Sequence, residues 1–157
     1  MNNIEIVPFN ESIVLYVKSL LAGYIHSSSD GVNESEVTSE QLEECEGILN
    51  RFLRNNVSHC YVAKIEQEYA GFIVLSWGFS ISKGQSVIRV DAIYSSPKHR
   101  NKGIGRKLMQ YAIDVAMENK ASRLQLETDE NNAPARNLYN NLGFKIIPGK
   151  GVYMAFL

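Results

Sequence analysis

The sequence predicts an α/β fold built on one mixed β-sheet, with elements in the order β-α-α-β-β-β-α-β-α-β-β. Three observations carry this expectation. Helical apolar stripes and runs rich in β-branched and aromatic residues succeed one another along the chain. Three strand-like runs in the middle are joined only by short polar links, which suits antiparallel neighbours. A length of 157 residues suits a single domain, 1–157, with a core of its own.

"IEIV" (4–7) reads as a short first strand ended by Pro8, whose ring removes a ladder donor. In "NESIVLYVKSLLAGYI" the apolar residues Ile13, Val17, Leu20, Leu21 and Tyr24 form a helical stripe. A polar loop, "HSSSDGVN" (26–33), follows. The segment 35–55 reads as a second helix, acidic in its first half, burying Leu42, Cys45, Leu49, Phe52 and Leu53. "HCYVAKI" (59–65), "YAGFIVLSWGF" (69–79) and "QSVIRVDAIYSS" (85–96) read as strands separated by "EQE" and "SKG".

Beyond them, Ile104, Leu108, Ala112, Val115 and Ala116 line one face of a helix running to about Lys120. "RLQLET" (123–128) reads as a strand. "DENNAPARNLYNNLGF" reads as a loop and short helix, with Pro134 in its first turn and Gly143 as its stop. "FKIIP" and "GVYMAFL" are expected to close the chain as a strand pair.

The totals exclude several classes of function. A net charge of −1 gives no overall basicity for nucleic acid, so any basic patch is local. No apolar run reaches the roughly 18 residues of a membrane span. The start "MNNIEIVPFNESIVLYV" lacks the basic flank and clean apolar stretch of a secretory signal, so a cytoplasmic location is expected. Cys45 and Cys60 belong to no CxxC pair and read as free structural thiols. His26, His59 and His99 lack metal-site spacing, and no metal is expected.

The most informative stretch is "SSPKHRNKGIGRKLMQ", in which a strand gives way to a basic, glycine-bearing loop and then a helix. Amides at the start of a helix have no internal acceptors and sit at the positive end of its dipole. Gly103 and Gly105 permit backbone conformations and close approaches that a Cβ obstructs. Arg100, Lys102, Arg106 and Lys107 add positive charge there. The arrangement suits a phosphate-bearing ligand; a solvated turn at a helix entry is the alternative. Neither GxxxxGK[ST] nor GxGxxG with a downstream acid is present, which disfavours a nucleotide-binding regulatory domain.

The pattern that does fit is [RQ]-x-x-G-x-[GA], as Arg100-Asn101-Lys102-Gly103-Ile104-Gly105. In this the chain resembles the GNAT superfamily of acyl-CoA-dependent N-acyltransferases. "NAPARNLYNNLGF" (132–144) is similar to a later segment of that family, N-x-x-A-x-x-[LF]-Y-x-x-x-G-F, through Asn132, Ala135, Leu138, Tyr139, Gly143 and Phe144. Two such segments stand in the right order, with a helix and a strand between them, and the expected element order also resembles the family's fold from Ile4 to the C-terminus, so the resemblance covers nearly the whole chain.

The resemblance implies a GNAT-like sheet whose parallel central strands, here 85–96 and 123–128, splay apart around acetyl-CoA. By position, backbone groups of Ile93 and Ser95 would pair with the pantetheine arm. The amides of Asn101, Lys102, Gly103, Ile104, Gly105 and Arg106 would wrap the diphosphate, with Arg100 at the loop entrance. Asn132 would hydrogen-bond the cofactor from the far side. Tyr139 stands where the family places its general acid, and the alternative is a core tyrosine on a short helix. Proton transfer from a phenol near 10 to a thiolate near 8.5 is uphill by about 2 kcal/mol, so hydrogen bonding to the developing thiolate is its main expected role.

The acceptor amine must also lose a proton, and Asp91 and Glu127 lie near the expected cleft. Either is a candidate base, directly or through water, and either is equally a structural hydrogen-bond partner. The expected reaction is acetyl transfer to a primary amine of a small molecule or peptide. A non-catalytic acetyl-CoA sensor is the alternative, and Tyr139 argues against it. The acidic run from Asp30 to Glu46 would attract a cationic acceptor or serve as a solvated helix face. The terminal "GVYMAFL" could pair within its own sheet or with a second copy in a homodimer.

Overall fold

The computed structural model describes residues 3–26 and 36–157. In chain order they form β1 (Ile4–Pro8), α1 (Val14–His26), α2 (Ser39–Phe52), β2 (Ser58–Ile65), β3 (Glu68–Ser80), β4 (Gln85–Ser95), α3 (Ile104–Glu118), β5 (Arg123–Leu126) and α4 (Ala133–Asn141). Single 3-10 turns, Glu11–Ile13 and Pro97–His99, lead towards α1 and α3. The chain forms two compact units, residues 1–127 and residues 128–157.

In the first unit the sheet runs β1-β2-β3-β4-β5. The short polar joints do make antiparallel neighbours of β2, β3 and β4, and β1 pairs antiparallel with β2. The crossover through α3 makes β4 and β5 parallel, so the sheet is mixed as expected. Alternation along β2 separates two helical layers. Cys60 and Val62 join the core formed with Val14, Val17 and Leu20 of α1 and Leu49 of α2. Tyr61 points the other way, its ring 4.8 Å from that of Tyr111 on α3. The predicted apolar face of α3 is entirely buried: Ile104, Leu108, Ala112, Val115 and Ala116.

Gly71 lets α3 settle onto the sheet. A Cβ there would lie 2.4 Å from the Tyr94 carbonyl oxygen and 2.9 Å from Ile104 Cγ2. No larger side chain fits between β4 and the first residue of the helix without displacing one of them.

Several boundaries differ from the sequence reading. The second helix spans Ser39–Phe52 rather than 35–55, because Thr38 caps it and Leu53 ends it with its side chain 36% exposed. His26 closes α1 instead of opening the loop, and the remainder of that loop, 27–33, lies outside the described residues. β5 stops at Leu126, where its ladder with β4 stops. Part of the acidic run is committed to α1: Glu46 bonds Lys18 at 2.9 Å, and Glu44 lies 3.8 Å from His26.

In the second unit, the expected strands 144–148 and 151–157 do not form. Strands require cross-strand hydrogen bonds and a buried face. These segments make no ladder, a turn at Pro148 and Gly149 divides them, and Ile146, Val152, Tyr153, Met154 and Phe156 stay exposed.

Candidate active site

The loop before α3 is built to leave a helix end open. Ser96 anchors it, its amide donating to the Ala70 carbonyl at 2.8 Å. After the 3-10 turn, Arg100 is extended, with φ −61° and ψ 155°, and Asn101 enters the left-handed region at φ 61°. Gly103 is left-handed too, at φ 85°, and serves as the N-cap of α3 without a side-chain cap bond. The first bond of the helix runs from the Lys107 amide to the Gly103 carbonyl. The amides of Ile104, Gly105 and Arg106 precede it, and helix geometry gives them no internal acceptor.

Nothing lies within 4 Å of where a Gly103 Cβ would stand, so its conformation, not crowding, calls for glycine. Arg100, Asn101, Lys102, Gly103, Arg106 and Lys107 are exposed, Gly105 is half-buried and Ile104 is buried beneath them. Outward amides, a positive dipole end and surrounding cations together make a donor set that fits a diphosphate.

Beside this loop β4 has a free side. Its ladder with β5 holds only from Val87↔Arg123 to Val90↔Leu126, yet β4 continues to Ser95. Ile93 and Ser95 lie in the continuing part, half-buried and paired on their other side with Ile73 and Gly71 of β3. The irregularity that opens the sheet is a bulge. Val74 faces Ala92 while Leu75 faces Val90, which leaves Asp91 as the extra residue on β4.

Asp91 and Glu127 are brought together, through a residue the sequence reading did not single out. Arg89 Nε donates to Asp91 Oδ1 at 3.1 Å, and Arg89 Nη2 donates to Glu127 Oε1 at 2.9 Å. Arg89 lies opposite Ser76, in step with Phe72 and Val74 of the α1–α2 core, so the trio leaves the sheet on that face. All three side chains are roughly one-third to two-fifths exposed, as the 39%, 35% and 43% values show. The hydrogen bond that Arg89 donates to Glu127, reinforced by the charges of Glu127 and Asp91, holds the guanidinium above its ordinary value. Two carboxylates around one fixed cation leave a net charge of −1, a setting that attracts an ammonium group. The signal for Arg89 was its i, i+2 spacing from Asp91, which puts both on one face of a strand.

The second unit explains its own motif. Asn132 is the N-cap of α4 and is exposed; its side-chain oxygen accepts from the Ala135 amide at 3.3 Å. At the other end Gly143 is left-handed at φ 87°. The Phe144 amide reaches the Tyr139 carbonyl at 3.0 Å, and the Gly143 amide reaches that of Asn140 at 3.1 Å, a Schellman closure. The accompanying apolar contact is the Tyr139–Phe144 ring pair, with centroids 6.1 Å apart. The Y-x-x-x-G-F spacing is therefore a helix stop that pins the ring of Tyr139, which is buried.

Among the described residues no group of three or more His, Cys, Asp or Glu could hold a metal ion. Burial pushes the Cys60 thiol up to about 12 and raises that of Cys45, so neither is a ready nucleophile. No helix among the described residues is long and apolar enough to cross a membrane.

Comparisons with known proteins identify the family and the fold. An uncharacterized N-acetyltransferase, YhfO, of Bacillus subtilis (strain 168) is 31% identical over 107 residues, covering 68% of this chain and 72% of the relative. Thialysine N-epsilon-acetyltransferase of Mus musculus is 31% identical over 133 residues, 78% of each chain. The solved structure of an aminoglycoside N-acetyltransferase, AAC(6')-Iy, in complex with CoA shares the fold at a TM-score of 0.71 and 16% identity, over 99% of this chain and 96% of that one. Residues 22–144 match the Acetyltransferase (GNAT) family, and the chain belongs to that family.

Proposed function

We propose that this protein is an acetyl-CoA-dependent N-acetyltransferase that transfers an acetyl group to a primary amine of a small molecule or peptide. The observation that carries this reading is the open N-terminus of α3 beside the unpaired side of β4. Acetyl-CoA supplies an acetyl group already activated as a thioester. The amides from Asn101 to Arg106 hold its diphosphate, with Arg100 at the entrance, and the backbone of Ile93 and Ser95 receives the pantetheine arm along β4. Asn132 adds a hydrogen bond through the part of its amide not used in capping α4.

The Arg89–Asp91–Glu127 trio receives the acceptor. An amine near 10.4 is mostly protonated at neutral pH, and deprotonating it costs about 4.6 kcal/mol. Asp91 or Glu127 takes that proton, directly or through water. Arg89 fixes one oxygen of each acid and leaves the other carboxylate oxygen for this work. Tyr139 stabilises the departing thiolate by hydrogen bonding. A cationic acceptor suits this acidic setting, and a lysine-like amine is the substrate type named for the thialysine relative. The fold neighbour solved with CoA supports the choice of cofactor.

The deciding experiment is thiol release from acetyl-CoA across a panel of amines, run beside Tyr139→Phe. Turnover is expected to fall about 100-fold in the variant while coenzyme A binding persists. Coenzyme A binding without thiol release from any amine would instead support a sensor module. An unchanged rate in Tyr139→Phe would remove that residue from the chemistry.

A further inference from the structure

Glu68 and His99 belong to no part of the chemistry above, yet they meet at the root of the loop that opens α3. Glu68 begins β3, and its Oε2 accepts from His99 Nε2 at 2.9 Å and from Lys98 Nζ at 2.6 Å. On the other side of the ring, His99 Nδ1 lies 3.4 Å from Lys102 Nζ. His99 is only 6% exposed. A lysine ammonium donates and never accepts, so Nδ1 must carry a lone pair and Nε2 the proton given to Glu68. The network therefore selects one neutral tautomer and makes the imidazole a rivet between the sheet and the loop.

The rivet matters because the loop holds a non-glycine residue, Asn101, in the left-handed region. Asn101 and Gly103 flank Lys102 in the left-handed region, at φ 61° and 85°. Such conformations persist where the surroundings determine them. The Ser96 amide ties the loop to β3 at one point, and the Glu68–His99–Lys102 chain ties it again beyond the 3-10 turn. Without Glu68 the acceptor that holds the proton on Nε2 is gone, and a proton moved to Nδ1 ends the bond to Lys102. The charged groups facing the ring are Glu68 from β3 and Lys98 and Lys102 from the loop itself.

We infer that Glu68 and His99 are positioning residues that hold the 100–103 loop in its anion-binding shape through the Nε2–H tautomer of His99. This rests on the proposed function, because the loop is read there as the diphosphate cradle. Two readouts test it. In ¹⁵N spectra of the wild type at neutral pH, the His99 ring is expected to show the Nε2–H tautomer, and in Glu68→Leu that preference is expected to be lost.

By calorimetric titration with coenzyme A, Glu68→Leu and His99→Phe are expected to bind about tenfold more weakly, equivalent to about 1.4 kcal/mol. Glu68→Gln, which keeps an acceptor oxygen for Nε2–H, is expected to bind nearly as the wild type. Glu68 is a surface side chain, so its variants are expected to fold, which thermal melts verify. An Nδ1–H ring in the wild type, or undiminished coenzyme A binding in Glu68→Leu, overturns the inference while leaving the proposed function standing. A wild type that binds no coenzyme A overturns the proposed function and this role together.

Discussion

α2 and α3 lie in the same unit of the chain and start in opposite ways. Thr38 closes α2 with a reciprocal capping box: its hydroxyl accepts from the Gln41 amide at 3.2 Å, and the Gln41 side chain accepts from the Thr38 amide at 2.9 Å. α3 starts at a left-handed glycine that has no side chain to offer. A glycine at the N-cap costs only about a few tenths of a kcal/mol against a good capping residue, so α3 forgoes a little stability that α2 keeps. The difference teaches where a ligand is expected. A helix end finished by its own chain serves the fold, and an end left unfinished at an exposed, cation-rich loop is available to an anion. α4 follows α2 in this respect, because Asn132 caps it.

The strongest way to break the comparison is to put a carboxylate on the open end. Gly103→Asp places a negative charge at the N-terminus of α3, at a position where Asp tolerates positive φ better than most residues. Coenzyme A binding, measured by calorimetry, is expected to weaken about 100-fold, equivalent to about 2.8 kcal/mol. The backbone strain is expected to cost only about 1 kcal/mol of stability in a denaturant melt. Undiminished binding would show that the α3 amides do not hold the ligand.

The reach of the sequence differs between features for physical reasons. Local signals were legible: the apolar stripe of α3 is buried residue for residue, Pro134 opens α4, and Gly143 stops it. The glycine loop was legible because left-handed positions favour particular residue types. What escaped depends on register. Arg89 meets Glu127 across 38 residues only because β4 and β5 pair at Val90↔Leu126 and then part. The Asp91 bulge and the Glu68–His99 bond likewise exist only once strands are aligned. The terminal apolar runs form no strands, because apolar alternation suggests a strand but does not supply it with a partner.

A milder intervention sharpens the contrast from the closed end. Thr38→Ala removes the side-chain acceptor for the Gln41 amide. It is expected to lower unfolding stability by about 1 kcal/mol, read as a shifted denaturation midpoint at constant slope. Coenzyme A affinity is expected to stay at the wild-type value, because α2 contributes no open amide to the ligand. A parallel loss of affinity would mean that the two helix starts are coupled and that the contrast between them is not a division of labour.

The smallest expected effect concerns how the open end is held, and it appears in the pH dependence of stability. Hydrogen bonds from Lys98 and then His99 hold the Glu68 carboxyl below its ordinary 4.5. A carboxyl depressed in the folded state contributes stability above its unfolded value and loses it as pH falls through the folded value. Wild type should therefore melt slightly above Glu68→Gln near neutral pH. The gap should close as the pH drops below 4.5. Because Glu68 is exposed, water and salt screen the pair, so the gap should also narrow with added salt at fixed pH. A gap that widened on acidification would mean that the protonated, not the ionised, carboxyl braces the loop, and the charge-based account of the brace would then be wrong.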